Sequence, residues 1–204
     1  MPAKNVDLHG NVPDISKVAL LLIDVINDFE YPEGDLLFKN SMEIVDQIVD
    51  LRKRAKEAGV PVIYVNDNYG KWQSDFLKLV AHTTNEKVRG KPFVDKLLPD
   101  EDDYFVLKPK HSAFYSTVLD TLLAYLKVET LILAGVAGNS CILFTANDAY
   151  MRDFHLYIPS DCIASNYAED NRNAIKIMKT ILDVDTRPQR EIEFVCRNNE
   201  PDVP

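Results

Sequence analysis

What most constrains this chain is an alternation. Short, unbroken apolar runs stop on a charged or polar residue, and stretches follow in which apolar residues recur every three or four positions. Residues 17–24 (KVALLLID) form one such run and 60–66 (VPVIYVN) the next. A strand with one face in water alternates apolar and polar residues; a run without alternation reads as a strand covered on both faces, as parallel strands are. Between the two, 41–58 sets Ile44, Ile48, Leu51 and Ala55 on one helical face, with Ser41 as the predicted N-cap and Gly59 followed by Pro61 as the stop. This is a β-α-β unit.

The pattern continues. Strands are predicted at 104–107 (YFVL), 130–134 (TLILA), 155–159 (HLYIP) and 191–195 (EIEFV). Helical stripes lie between them: Leu119, Leu122, Leu123 and Leu126, then Ile142, Ala146 and Ala149, then Ala174, Met178 and Ile181. About six short strands alternating with helices predict a three-layer α/β/α sandwich with a mostly parallel sheet. We read 1–204 as a single domain with short polar arms at 1–13 and 198–204. Residues 67–103 are long for a connection, with a helix predicted at 74–80, and long connections are often functional.

Composition excludes partners. The net charge of −9 and the lack of a long basic stripe argue against nucleic acid, which is bound by clustered Lys and Arg. No stretch reaches the roughly 18 apolar residues of a membrane span, and the first residues lack the apolar core of a signal peptide, so a cytoplasmic protein without a membrane partner is expected. Three cysteines, Cys141, Cys162 and Cys196, show no C-x-x-C pairing and read as free thiols in a reducing compartment. There are only seven glycines, against a usual frequency of ~7%, so each should mark a backbone requirement.

In open α/β sheets ligands bind beyond the carboxyl ends of the strands. There the first strand ends on Asp24, the third delivers Lys108, and the fourth runs through Gly135-Val-Ala-Gly-Asn-Ser into Cys141. Each has a plain alternative: Asp24 as a turn residue, Lys108 as a solvated lysine, Cys141 as a small buried hydrophobe. Cys141 follows a turn holding two of the seven glycines and opens a helix, where free N–H groups are expected to lower a thiol pKa. An acid, an amine and a thiol on one sheet edge strengthen one another as catalytic candidates.

These residues carry a resemblance. Asp24-Val-Ile-Asn27-Asp28-Phe29 resembles the D-x-x-N-D-F box of the isochorismatase-like cysteine hydrolases, 108–114 (KPKHSAF) resembles their K-x-x-x-S-A-F segment, and 135–141 (GVAGNSC) their nucleophile turn. The resemblance spans about 17–182 and implies a triad of Asp24, Lys108 and Cys141. It further implies an oxyanion hole from the backbone N–H groups of Ala137 and Cys141, a cis peptide at Val136-Ala137, and dimers or tetramers. Phe29, Asn66, Asn68, Trp72 and Tyr115 are the expected pocket residues for a small-molecule substrate, with core packing as the alternative for the aromatics and a polar turn for the asparagines.

The chain also departs from its relatives. Nicotinamidases carry Asp-x-His and further histidines after the second strand to bind a metal, whereas here that place reads Asn66-Asp67-Asn68-Tyr69-Gly70. A lone carboxylate is a poor transition-metal site, so no metal and no cofactor is expected. His111 is expected near the site, His9 and His155 at surface or edge, and Asp148 and Asp161 in helix or turn roles. Isochorismatases proper cleave a vinyl ether without a nucleophile, and Cys141 therefore favours C–N cleavage of an amide, carbamoyl or ureido compound. The alternatives are that ether chemistry, or a low-activity member that serves as a binding protein.

Overall fold

The computed structural model describes residues 15–70 and 75–194. Its elements follow in the order β1 (Val18–Ile23), α1 (Gly34–Glu57), β2 (Val62–Asp67), α2 (Phe76–Thr83), α3 (Lys91–Val94), β3 (Tyr104–Lys108), α4 (Leu119–Leu126) and β4 (Thr130–Val136). A π-helical turn (Gly138–Ile142) then leads into α5 (Leu143–Tyr150), followed by β5 (His155–Tyr157), β6 (Ile163–Ala164), α6 (Ala168–Ile181) and a 3-10 turn (Gln189–Glu191). Every strand pairing is parallel, in the order β3-β2-β1-β4-β5, with β6 against the end of β4.

The unbroken apolar runs are explained by two cores, one on each sheet face. Along β1, Leu20 and Leu22 join Ile48, Leu51 and Ala55 of α1 on one side, while Ala19, Leu21 and Ile23 join Leu119, Leu123, Ala146 and Met178 on the other. Every second side chain of a strand points to the same face, so a strand buried on both faces must be apolar throughout. Truncating a fully buried residue such as Leu21 to Ala should cost about 2–5 kcal/mol.

Several boundaries differ from the sequence reading: α2 runs Phe76–Thr83 against 74–80, and β5 stops at Tyr157 against 159. Helix α1 begins at Gly34 rather than 41, and Ser41 is no cap: it is buried mid-helix, its Oγ donating to Leu37 O at 2.7 Å. A serine that bonds back one turn fits a helix interior as well as a cap. The predicted strand at 191–195 is absent over its described residues. Glu191 closes the 3-10 turn, and Ile192 packs beside α1, where Arg54 Nη1 donates to its carbonyl at 2.9 Å. The sixth strand is instead the two-residue β6. In α6, Ile181 is 67% exposed and Leu182 takes the buried place, continuing the i, i+4 series from Ala174 and Met178. The arms at 1–13 and 198–204, with His9 and Cys196, lie outside the described residues.

The strand order places the site. From β1 the chain builds outward through β2 and β3, then returns so that β4 pairs with the other side of β1. The connection after β1 runs to one side of it and the crossover from β3 to β4 lands on the other, which opens a crevice at the carboxyl ends of β1 and β4.

Candidate active site

Asp24 follows the last residue of β1, in a left-handed conformation (φ 52°), its N–H bonded to Val65 O at 2.8 Å. Lys108 ends β3 in register with Asp67 at the end of β2. Cys141 lies in the π-helical turn after β4. The register Ile23↔Gly135 brings β1 and β4 together there, and Gly135 (φ 121°) is required: a Cβ at this position would stand 2.1 Å from Ile23 O. Gly138 is equally confined, since its Cβ would meet Asn171 Oδ1 at 2.2 Å. Behind it Ser165 Oγ donates to Asn171 Oδ1 (2.9 Å) and accepts from Asn139 N (3.1 Å), so β6 and α6 hold the turn from below.

Sequence-distant groups meet at one lysine. Lys108 Nζ is 2.9 Å from Asp24 Oδ2 and 3.9 Å from Asp67 Oδ2, and it donates to Cys141 Sγ at 3.3 Å, with its side chain 0% exposed. Asp24 Oδ1 accepts from Asp67 N at 2.8 Å, which fixes the carboxylate between β2 and the lysine. Burial by itself lowers the ammonium's pKa, but Asp24, the thiol and Asp67 outweigh it, and Lys108 is held above its ordinary value.

The thiol behaves differently from the sequence expectation. Cys141 is not lowered but pushed up to about 12, first by burial and then by the charge of Asp24; Lys108 pulls the other way without prevailing. The resting arrangement is therefore a thiol beside a carboxylate. On its other side His111 Nδ1 stands 3.8 Å from Sγ, its ring 5.5 Å from that of Phe144. The 108–114 segment is strapped to α5: Ser112 Oγ donates to Asp148 Oδ2, and Ala113 N to Thr145 Oγ1 at 3.0 Å. Asp148 thus has the helix role read from sequence, and Asp161 a turn role, accepting from Gln189 N at 2.9 Å. The Val136-Ala137 peptide is cis, and Ala137 and Cys141 sit at the two ends of the turn that follows it.

The expected pocket residues divide. Phe29 is 0% exposed, its ring edge-on to Phe38 and Phe93, and it belongs to the core. Tyr115, at 57% exposure, faces outward. Asn68 makes the turn after β2, accepting from Gly70 N at 2.9 Å. Asn66 is a buried strut, donating from Nδ2 to Ile26 O at 3.0 Å, while its Oδ1 has no partner among the described residues. Trp72 lies outside the described residues.

Residues passed over as pocket candidates form the rim. Asn27 Nδ2 donates to Tyr31 Oη, and Asn27 Oδ1 accepts from Tyr69 Oη, both at 3.5 Å, while Phe29 N donates to the same Oδ1 at 2.8 Å. Tyr31 is pushed up to about 12 by burial, against the pull of Asn27, with Asp24, Asp28 and Cys141 adding to it. Tyr69 is pushed up further, by burial and then by Asp28 and Asp24. Both hydroxyls therefore sit within the field of the catalytic candidates. Asn27 was visible in the sequence motif; the tyrosines carried no periodic signal.

Comparison with known proteins gives the family. The family model described as the isochorismatase domain matches residues 18–186. The chain belongs to the isochorismatase family. Among its family relatives, the uncharacterized isochorismatase family protein YaaI of Bacillus subtilis strain 168 is 47% identical over 174 residues, covering 85% of this chain and 95% of that protein. A probable inactive nicotinamidase of Arabidopsis thaliana is 32% identical over 173 residues, covering 80% and 88%. The crystal structure of nicotinamidase PncA from Bacillus subtilis superposes with a TM-score of 0.67 at 27% identity, covering 84% of this chain and 99% of that one. Family membership makes this an isochorismatase-family hydrolase with amidohydrolase relatives and the parallel α/β sheet they share. No helix among the described residues is long and apolar enough to cross a membrane.

Proposed function

We propose that this protein is a cysteine hydrolase that cleaves the C–N bond of a small amide, carbamoyl or ureido compound through a thioester on Cys141. The observation that carries this reading is the fully buried Lys108, placed between the Asp24 carboxylate at 2.9 Å and the Cys141 sulfur at 3.3 Å. A lysine so placed stabilises negative charge on either neighbour, which suits a proton that moves from one to the other.

The thiol, held protonated by burial, would lose its proton to Asp24 as the sulfur bonds the substrate carbonyl carbon. The oxyanion so formed would be met by the N–H groups of Ala137 and Cys141. Asp24 then returns the proton to the nitrogen, the C–N bond breaks and the amine leaves. In the second half, water attacks the thioester while Asp24 takes one of its protons, the C–S bond breaks and the proton returns to sulfur. The balance is amide plus water giving acid plus amine, with no cofactor consumed.

The test is a panel of primary amides, ureas and carbamoyl compounds assayed for ammonia release by wild type and Cys141→Ala. The expected result is release by wild type alone. Equal release by the variant would remove Cys141 from the mechanism.

A further inference from the structure

The charges around the thiol bear on which substrates can enter. This inference rests on Cys141 being the reactive nucleophile and deepens that reading. Two carboxylates, Asp24 and Asp67, stand at Lys108 in the crevice, and a third, Asp28, directly follows Asn27, whose side chain bonds both rim phenols. Lys108, which the first two share, is 0% exposed and committed to them and to the sulfur. Arg89, the cation of the rim loop, is turned away: Nη1 donates to Phe29 O at 2.6 Å and Nη2 stands 3.6 Å from Glu30 Oε2. Lys78 pairs with Asp75 at 2.9 Å. Asp28 Oδ2 is 3.0 Å from His82 Nε2, which compensates the carboxylate only when the imidazole is protonated. Among these groups the carboxylates outnumber the cations paired with them.

The rim also offers donors. Tyr31 Oη accepts from Asn27 Nδ2, which leaves its own O–H available as a donor. Burial first, with Asp24 and Asp28 adding to it, pushes both rim phenols up and keeps them protonated.

We infer that the site selects substrates whose end remote from the scissile carbonyl is neutral or cationic, and rejects an anionic end, with Asp28 as a specificity-determining residue. A like charge brought beside one uncompensated carboxylate in this half-buried setting should slow reaction about tenfold.

The experiment uses two methanethiosulfonates of similar size, one ending in trimethylammonioethyl and one in sulfonatoethyl. Each reacts as sulfur bonds sulfur, methanesulfinate leaves and the thiol proton passes to buffer. Rates at Cys141 are followed by peptide mass at about pH 8, where imidazoles are neutral, and each is divided by the rate on mercaptoethanol. The expected cation-to-anion ratio at Cys141 exceeds that on mercaptoethanol by about tenfold and falls about threefold or more in Asp28→Asn. A wild-type ratio equal to that on mercaptoethanol, or inverted, overturns the inference while leaving the nucleophile reading intact. A tenfold ratio unchanged by Asp28→Asn overturns the assignment to Asp28. Failure of both reagents to modify Cys141 overturns the nucleophile reading and this inference together, so the two failures are told apart.

Discussion

Two lysines in this molecule gather carboxylates, and they differ in what else they touch. Lys56 Nζ lies 2.7 Å from Asp100, 2.8 Å from Asp102 and 2.9 Å from Asp103, with Arg52 bound to Asp100 and Asp103 as well. Lys108 has only one carboxylate that close, yet it is fully buried and its third neighbour is a sulfur. By number of ion pairs the Lys56 cluster is the richer. It sits at the C-terminal end of α1, where Asp100 and Asp102 are exposed and their pairs are screened and worth little, while the Asp103 side chain is buried and held by Arg52 as well. The Lys108 cluster lies at the carboxyl edge of the sheet, where an unpaired charge has no water to turn to. The chemistry therefore follows burial and a nucleophilic neighbour, not the density of charge.

Four substitutions or titrations would break or sharpen that contrast. The largest effect is expected of Cys141→Ala: on the order of a thousandfold loss of ammonia release, with urea unfolding changed by about 1 kcal/mol or less. Next, Lys108→Met should destabilise the fold by about 3–5 kcal/mol, because it strands Asp24 beside Asp67 without their shared cation. Smaller is the change in labelling. Alkylation of wild-type Cys141 should accelerate up through the alkaline range toward about 12, and in Lys108→Met the rise should move to still higher pH, because Lys108 acts to lower the thiol's pKa. A wild-type plateau below pH ~8 would contradict the buried, protonated thiol. The smallest effect is expected of Lys56→Met, about 1 kcal/mol by urea unfolding despite its three carboxylates. A cost matching that of Lys108→Met would show that burial is not what separates the two clusters.

Much of the frame was legible in the chain because parallel strands buried on both faces leave a local signature. Runs such as VALLLI need no partner to be recognised, and the rule that ligands gather at strand carboxyl ends then singles out Asp24, Lys108 and Cys141. What was not legible depended on contacts between distant segments. Strand β6 has two residues and exists only because β4 is beside it. Ser41 has the chemistry of a cap, but its environment made it a mid-helix residue. Phe29 shares a motif with Asp24 and was expected in the pocket, yet its ring completes an aromatic group with Phe38 and Phe93. The rim pairing of Tyr31 with Tyr69 runs through Asn27, which lies 42 residues from Tyr69, and no periodicity announces such a meeting. The direction of the thiol shift was likewise out of reach, since it is set by burial and by Asp24.

The central claim is that the acyl group passes through the sulfur held by Lys108. Its most direct test is to quench the wild-type protein with acid during turnover of an amide identified by ammonia release, and to measure the intact mass and the peptide containing Cys141. The account predicts an added mass equal to the acyl portion of the substrate, located on Cys141 and absent from Cys141→Ala. Steady ammonia release with no adduct on Cys141, and undiminished in Cys141→Ala, would contradict it.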